Sequence, residues 1–118
     1  MPKTATGPSY SNLVAAYIQQ NFSGRNITVY REVPLSKTVI GKKRVVDLFL
    51  IEEDTKRAFA IECKFQNVSG TADEKIIYSL ENMAALRNSI PGCLVYAGEG
   101  WSKGILHLLE ASPFAAYW

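Results

Sequence analysis

The stretch from Val45 to Gln66, VVDLFLIEEDTKRAFAIECKFQ, constrains this chain more than any other. It reads as two apolar strands, Val45 to Ile51 and Arg57 to Phe65, joined by a polar turn at Glu53 to Lys56. The first strand carries Asp47 and the second carries Glu62, Cys63 and Lys64. An unpaired charge inside an apolar strand costs several kcal/mol, or its pKa shifts until the group is neutral. Charges placed like these need one another or a cation. The pattern therefore points to a hydrolytic metal site, with the rest of the chain as its support.

The whole chain sets the frame for that site. Its 118 residues suit one domain, taken as 1–118, and 47% hydrophobic residues can build a core without staples. Cys63 and Cys93 both sit in apolar runs. With no leader peptide evident, they are expected to be buried thiols in a reducing compartment. No run approaches the roughly 18 apolar residues of a membrane span, so no membrane partner is expected. A net charge of +2 does not announce a nucleic-acid binder. The charge is uneven, however. Arg31, Lys37, Lys42, Lys43 and Arg44 fall within 14 residues that hold one acid, Glu32. Such a cluster suits phosphate contacts, and it also suits a solvated hairpin.

In chain order, Ser9 or Ser11 can cap a helix to about Gln20 whose stripe is Leu13, Val14, Tyr17 and Ile18. Ile27 to Val33 reads as a strand that Pro34 closes or confines to a sheet edge. A turn at Gly41 leads into the two central strands. After a loop at Asn67 to Gly70, Thr71 and Glu74 form a capping box. The helix it opens runs to about Asn88 with Ile76, Ile77, Leu80, Met83 and Ala84 facing the core. Pro91-Gly92 stops it, and Cys93 to Ala97 is a fourth strand, reached by the crossover that parallel pairing requires. Trp101 to Glu110 reads as a short helix interrupted by Gly104, and Ala111 to Trp118 as an aromatic tail suited to a core or subunit contact. The expected class is α/β: helix, three strands, helix, strand and a terminal helix, with a mixed sheet of about four strands.

Strand alternation puts Glu62, Lys64 and Gln66 on one face and Ile61, Cys63 and Phe65 on the core face. Val46 and Leu48 are expected to point opposite to Asp47, so that Asp47 and Glu62 can meet. Two carboxylates there repel unless a cation lies between them. Oxygen ligands with room for water suit Mg²⁺, with Mn²⁺ as a substitute. The backbone carbonyl of Cys63 is a candidate further ligand. One histidine and two cysteines without ligand spacing argue against zinc. The chemistry that fits is phosphodiester hydrolysis, with Lys64 orienting water or stabilising charge on phosphorus.

Asp47 and Glu62-Cys63-Lys64, with fourteen residues between the acids, resemble the PD-(D/E)xK nuclease superfamily. The order of elements over residues 9 to 97 is similar to that superfamily's restriction-endonuclease-like core. The resemblance implies a metal-dependent DNA endonuclease in which Asp47 and Glu62 bind metal and Lys64 assists the attacking water. Val46 stands where a Pro is common in the family. The first helix lacks the acid that some members supply, and Glu32 is the available substitute. The run Gln66 to Thr71, with Glu74-Lys75, is similar to small phage-type and intron-associated homing nucleases. That similarity implies a site role for Gln66, and Thr71 and Lys75 as DNA contacts beside Arg31, Lys37, Lys42, Lys43 and Arg44. A double-strand cut needs two sites, which implies a homodimer. The implied setting is the cytoplasm or nucleoid of a bacterial or phage-infected cell. Holliday junction resolvases share the Asp…Glu-x-Lys pattern and give an alternative reading. A non-catalytic nucleic-acid-binding module and the catalytic piece of a longer protein are two others.

Overall fold

A computed structural model describes residues 7–38, 40–69 and 72–118, with the backbone alone for Gly7, Pro8, Ser36 and Ala72. The order is α1 (Gly7–Asn21), a 3-10 turn at Ser23–Arg25, β1 (Ile27–Lys37), β2 (Lys43–Glu52), β3 (Arg57–Phe65), α2 (Ala72–Leu86), β4 (Gly92–Ala97), α3 (Lys103–Ala111) and β5 (Ala115–Tyr117). The five strands form one sheet in the order β1-β2-β3-β4-β5. The first three are antiparallel neighbours, and β4 and β5 join in parallel. The fold is thus the expected α/β core, with one strand more than expected. That fifth strand comes from the aromatic tail. Leu94 N–H donates to Phe114 O and Trp118 N–H to Tyr96 O, so the tail's backbone is held on the exposed edge of β4.

Helices cover both faces. On one, Tyr10, Val14, Ala15 and Ile18 of α1 pack on Leu48, Ile61 and Ala97. On the other, α2 and α3 pack Ile76, Leu80 and Leu109 on Leu94 and Tyr96. A third cluster joins Met83 and Leu86 to Val46 and Ala60. Fully burying a side chain the size of Leu48 contributes about 1.5–3 kcal/mol. These clusters therefore fix which face each strand residue takes.

Four expectations change. The α1 stripe is Tyr10, Val14, Ala15 and Ile18, with Tyr17 44% exposed. Ser9 and Ser11 lie inside α1 rather than before it, and Ser11 Oγ accepts from Arg31 Nη2 at 3.1 Å. On α2 the inward stripe is Ile76, Leu80, Met83 and Leu86, while Ile77 is 45% exposed and Ala84 is exposed. The helix is rotated from the expected stripe because its other flank faces a polar cleft. Gly104 lies in the first turn of α3 with no neighbour within 4 Å of a Cβ there, so it does not interrupt the helix. Thr71 and the expected capping box fall partly outside the described residues. Pro34 lies within β1, which is an edge strand as expected.

The turn after β4 locks the end of β3. Gly98 has φ +100°, and a Cβ on it would stand 2.1 Å from Gln66 O. Gly98→Ala is expected to destabilise the fold by more than ~1 kcal/mol, since both conformation and space oppose a side chain. Gly24→Ala, where a Cβ meets nothing within 4 Å, is the control. Urea midpoints for the two variants check this.

Candidate metal centre and flanking clefts

The site lies where the sheet forks. The β2–β3 ladder runs from Glu52↔Arg57 to Leu48↔Ile61 and stops. Beyond that point β2 stays paired with β1 through Val46↔Val33, and β3 stays paired with β4 through Phe65↔Ala97. On β3, Ala60 N–H donates to Pro91 O and, just past its end, Gln66 N–H to Ala97 O. Backbone alternation then turns the N–H and C=O of Cys63 towards β2. In place of a strand partner, Cys63 N–H donates to Asp47 Oδ2 at 2.7 Å. A carboxylate thus takes the first position past the end of the ladder, and the Cys63 carbonyl faces the same gap.

The strands are distorted at this point. Val46 packs with Ala60 and Met83 on the α2 face, whereas Leu48 packs with Tyr10 and Ile61 on the α1 face. Val46 and Leu48 therefore do not share a face, contrary to simple alternation, and β2 rotates at Asp47. Glu32 of β1, flanked by the pairs Arg31↔Leu48 and Val33↔Val46, has φ +51°. The left-handed region is sparsely populated by non-glycine residues and concentrates at functional sites.

Asp47, Glu62, Cys63 and Lys64 are all half-buried. Glu62 hydrogen-bonds to Asp47, and its pKa is pushed up to about 9. Burial is the largest cause, the Asp47 carboxyl beside it comes next, and Lys64 offsets part of the rise. Two carboxyls in contact and partly out of water do not both ionise without a counter-charge. Burial, then the charges of Asp47 and Glu62, also push the Cys63 thiol up and keep it neutral. Among the described residues no three His, Cys, Asp or Glu side chains cluster into a ligand group, so Glu32 does not complete one. The donor set is two carboxyls and a backbone carbonyl. That set fits a hard cation that keeps several waters, such as Mg²⁺, and does not suit an ion needing a full protein cage.

Two clefts flank the pair. One, of about 480 Å³, is lined by Glu62 and Lys64, by Lys43 and Arg44 from β2, and by Lys75 from α2. The other, of about 540 Å³, holds Asp47, Cys63, Glu32 and Arg31, with Lys64 shared between the two. Arg31 Nη2 donates to Asn12 Oδ1 at 2.6 Å as well as to Ser11, which tethers it to α1. Of the expected phosphate contacts, Arg31, Lys43, Arg44 and Lys75 line these clefts, while Lys37 and Lys42 are exposed on the hairpin outside both. Arg44 is 7% exposed, so it is no solvated hairpin residue. Thr71 lies outside the described residues.

Gln66 lines neither cleft. It is 7% exposed, and its Nε2 donates to Asp73 Oδ1 at 3.1 Å and to Gly100 O at 2.8 Å. The amide joins the end of β3 to the first turn of α2 and to the turn after β4. Residues not singled out from sequence are Tyr78, Ser79 and Asn82, which line the larger-charge cleft from α2. Their signal was present as Lys75-x-x-Tyr78-Ser79-x-x-Asn82, a polar stripe at helical spacing.

The Glu62 shift has a stability consequence. The folded state holds the Glu62 proton up to about pH 9, against 4.5 for an ordinary glutamate. Between those values the folded state binds more protons than the unfolded state, so stability falls as pH rises. In EDTA, the melting temperature is expected to decline across that window. Glu62→Gln should flatten the decline and melt several degrees higher at pH 8, as read by a thermal melt at each pH.

Comparison with known proteins accords with this geometry. No curated protein sequence matches the chain. Among solved structures, the chain is similar to the MunI restriction endonuclease, described in complex with cognate DNA, at TM-score 0.59 and 11% identity, covering 100% of this chain and 89% of that one. It is also similar to a repair endonuclease from Pyrococcus abyssi at TM-score 0.47 and 15% identity, covering 99% of this chain. The chain spans about half the length of that repair enzyme, 48%. The restriction-endonuclease likeness carries the fold. Residues 6–116 match the sequence model of the PD-(D/E)XK nuclease superfamily domain, and the chain belongs to that superfamily.

Proposed function

We propose that the protein is a divalent-metal-dependent endonuclease that hydrolyses phosphodiester bonds in DNA. The observation that carries this reading is the Asp47–Glu62 carboxyl pair, with Lys64 beside it, at a fork flanked by one cation-rich cleft and a second that holds Arg31. Asp47 and Glu62 would hold Mg²⁺ or Mn²⁺, together with the Cys63 carbonyl, with Glu62 in its ionised form. When bound, the ion supplies Lewis-acid polarisation of a phosphoryl oxygen and acidifies water. Cys63 N–H holds Asp47 in place throughout. Lys64 orients the attacking water and offsets negative charge as an oxygen–phosphorus bond forms and an ester P–O bond breaks. Lys43, Arg44 and Lys75 on one side and Arg31 on the other hold flanking phosphates. Gln66 acts by positioning the end of β3.

DNA as substrate is supported by the superfamily and by the MunI likeness, since that enzyme is described with its cognate DNA. One such site cuts one strand, so a double-strand cut takes a homodimer. The Gln66 to Lys75 run, similar to homing and phage-type nucleases, favours a site-specific enzyme over a junction resolvase.

A gel assay with Mg²⁺ or Mn²⁺ tests the reading on linear duplex, single strand and four-way junction. Metal-dependent cutting is expected, and Lys64→Ala should lower its rate at least ~100-fold while leaving the melt unchanged. Cutting by Lys64→Ala at the wild-type rate contradicts the mechanism. Combined Lys43→Ala and Lys75→Ala should reduce the slope of log affinity against log salt by about 2, checked by fluorescence anisotropy across a salt series.

A further inference from the structure

Both strands of the β1–β2 pair change face at one rung. On β1, Arg31 reaches α1 through Ser11 and Asn12, while Val33 packs against Val46, Ala60 and Met83 on the α2 face. On β2, Leu48 packs with Tyr10 and Ile61 on the α1 face, while Val46 lies on the α2 face. Residues two apart in a regular strand share a face, so each strand makes an extra half-turn between these positions. Pairing survives on both sides, as Arg31↔Leu48 and Val33↔Val46, which leaves Glu32 opposite Asp47 at the turn. The two residues contribute unequally. Glu32 has φ +51°, and Asp47 has no positive φ. The other described non-glycine residues with positive φ, Asn26 and Lys56, lie outside the strands. A left-handed backbone is costly for a residue with a Cβ, and Gly, Asn and Asp accept it more readily than Glu. The strain thus sits at Glu32, and its effect falls on Asp47. A strand side chain ordinarily stands perpendicular to its sheet. The Cys63 N–H, turned towards β2, lies in the sheet, and Asp47 Oδ2 accepts from it at 2.7 Å. The Asp47 side chain therefore lies along the sheet rather than off one face, which the half-turn at this rung permits.

We infer that Glu32 is a positioning residue: its left-handed backbone turns β1 and, through the shared rung, β2, so that the Asp47 carboxylate enters the gap beside Cys63. The consequence for cleavage rests on the proposed role of Asp47 as a cation ligand. The active feature is the backbone of Glu32 and not its carboxylate. Glycine or asparagine at this position keeps the turn. A β-branched residue opposes it, because positive φ is a true outlier for such a side chain.

The chain has two cysteines, Cys63 and Cys93, so selective ¹⁵N-cysteine labelling gives two amide signals, assigned with Cys93→Ala. Spectra and exchange into D₂O are read in EDTA, with Asp47→Ala marking the signal of the lost bond. Glu32→Gly and Glu32→Asn are expected to keep the wild-type Cys63 shift and protection. Glu32→Val should move the signal to the Asp47→Ala position and speed its exchange about tenfold or more, with Glu32→Ala between. By calorimetry, Glu32→Gly should bind Mn²⁺ more tightly than Glu32→Val. Loss of the Cys63 signal in Glu32→Gly would overturn the inference, because the carboxylate would then be the active part. A signal unmoved in both Glu32→Val and Glu32→Ala would overturn it equally. Should Glu32→Val fail to fold, Glu32→Ala against Glu32→Gly decides the matter. The amide is read without metal or turnover, so failure there strikes the positioning role alone. The expected amide pattern in a wild type that does not cleave with metal strikes the nuclease reading instead.

Discussion

Two carboxyls that cannot both be charged without a counter-ion lie at the open end of a β-ladder, and much of the structure follows from holding them there. Asp47 replaces a strand partner for Cys63 N–H at 2.7 Å, and Glu62 hydrogen-bonds to Asp47 with its pKa pushed up to about 9. A folded domain has stability of only about 5–15 kcal/mol, so a half-buried carboxyl that must keep a proton up to about pH 9 is a sizeable strain on it once that proton is lost. It persists because the surrounding elements leave the side chains no alternative. Leu48 and Val46 are anchored in opposite cores on either side of Asp47. On β3, Ile61 is buried against α1 and Ala60 against α2, which sets the direction of Glu62.

The supports are spread over the whole chain. Tyr10, Val14 and Ile18 of α1 clamp Leu48 and Ile61, and the same helix tethers Arg31 through Ser11 and Asn12. Gln66 and the Gly98 turn fix the far end of β3 against β4. The metal-free state is less stable as Glu62 loses its proton, a penalty that a bound cation would remove. Under the proposed function, ion binding and fold stability would be linked through that one side chain.

The candidate site was largely written in local sequence, because it depends on short strands with period-two alternation. Asp47 on an apolar strand and Glu62 and Lys64 two apart on the next were enough to bring the three together. The order of elements was also readable, since apolar runs, the Pro91-Gly92 stop and the helix between β3 and β4 each leave a local mark. What could not be read depends on tertiary detail. The rotation of β2 at Asp47, which sends Val46 and Leu48 to different cores, follows from the fork and from Glu32 at φ +51°. Ile77 and Ala84 fall on the apolar stripe of α2 in sequence yet face solvent, because the helix turns its other flank to a polar cleft. β5 was hidden because a three-residue strand has no periodicity of its own. Gln66 looked like a site residue by its place in the sequence, yet its amide is held by Asp73 and Gly100, partners distant in the chain or unpredictable in geometry.

On the proposed function, Asp47 and Glu62 would form one cation site whose proton leaves when the ion arrives. Calorimetric titration of the EDTA-treated, dialysed protein with Mn²⁺ at pH 8 tests it most directly, run in buffers of different ionisation enthalpy to count protons. Release of about one proton per ion bound is expected for the wild type, and weak binding with no proton release for Glu62→Gln. Binding of Mn²⁺ with no proton released, or with equal strength by Glu62→Gln, would contradict it.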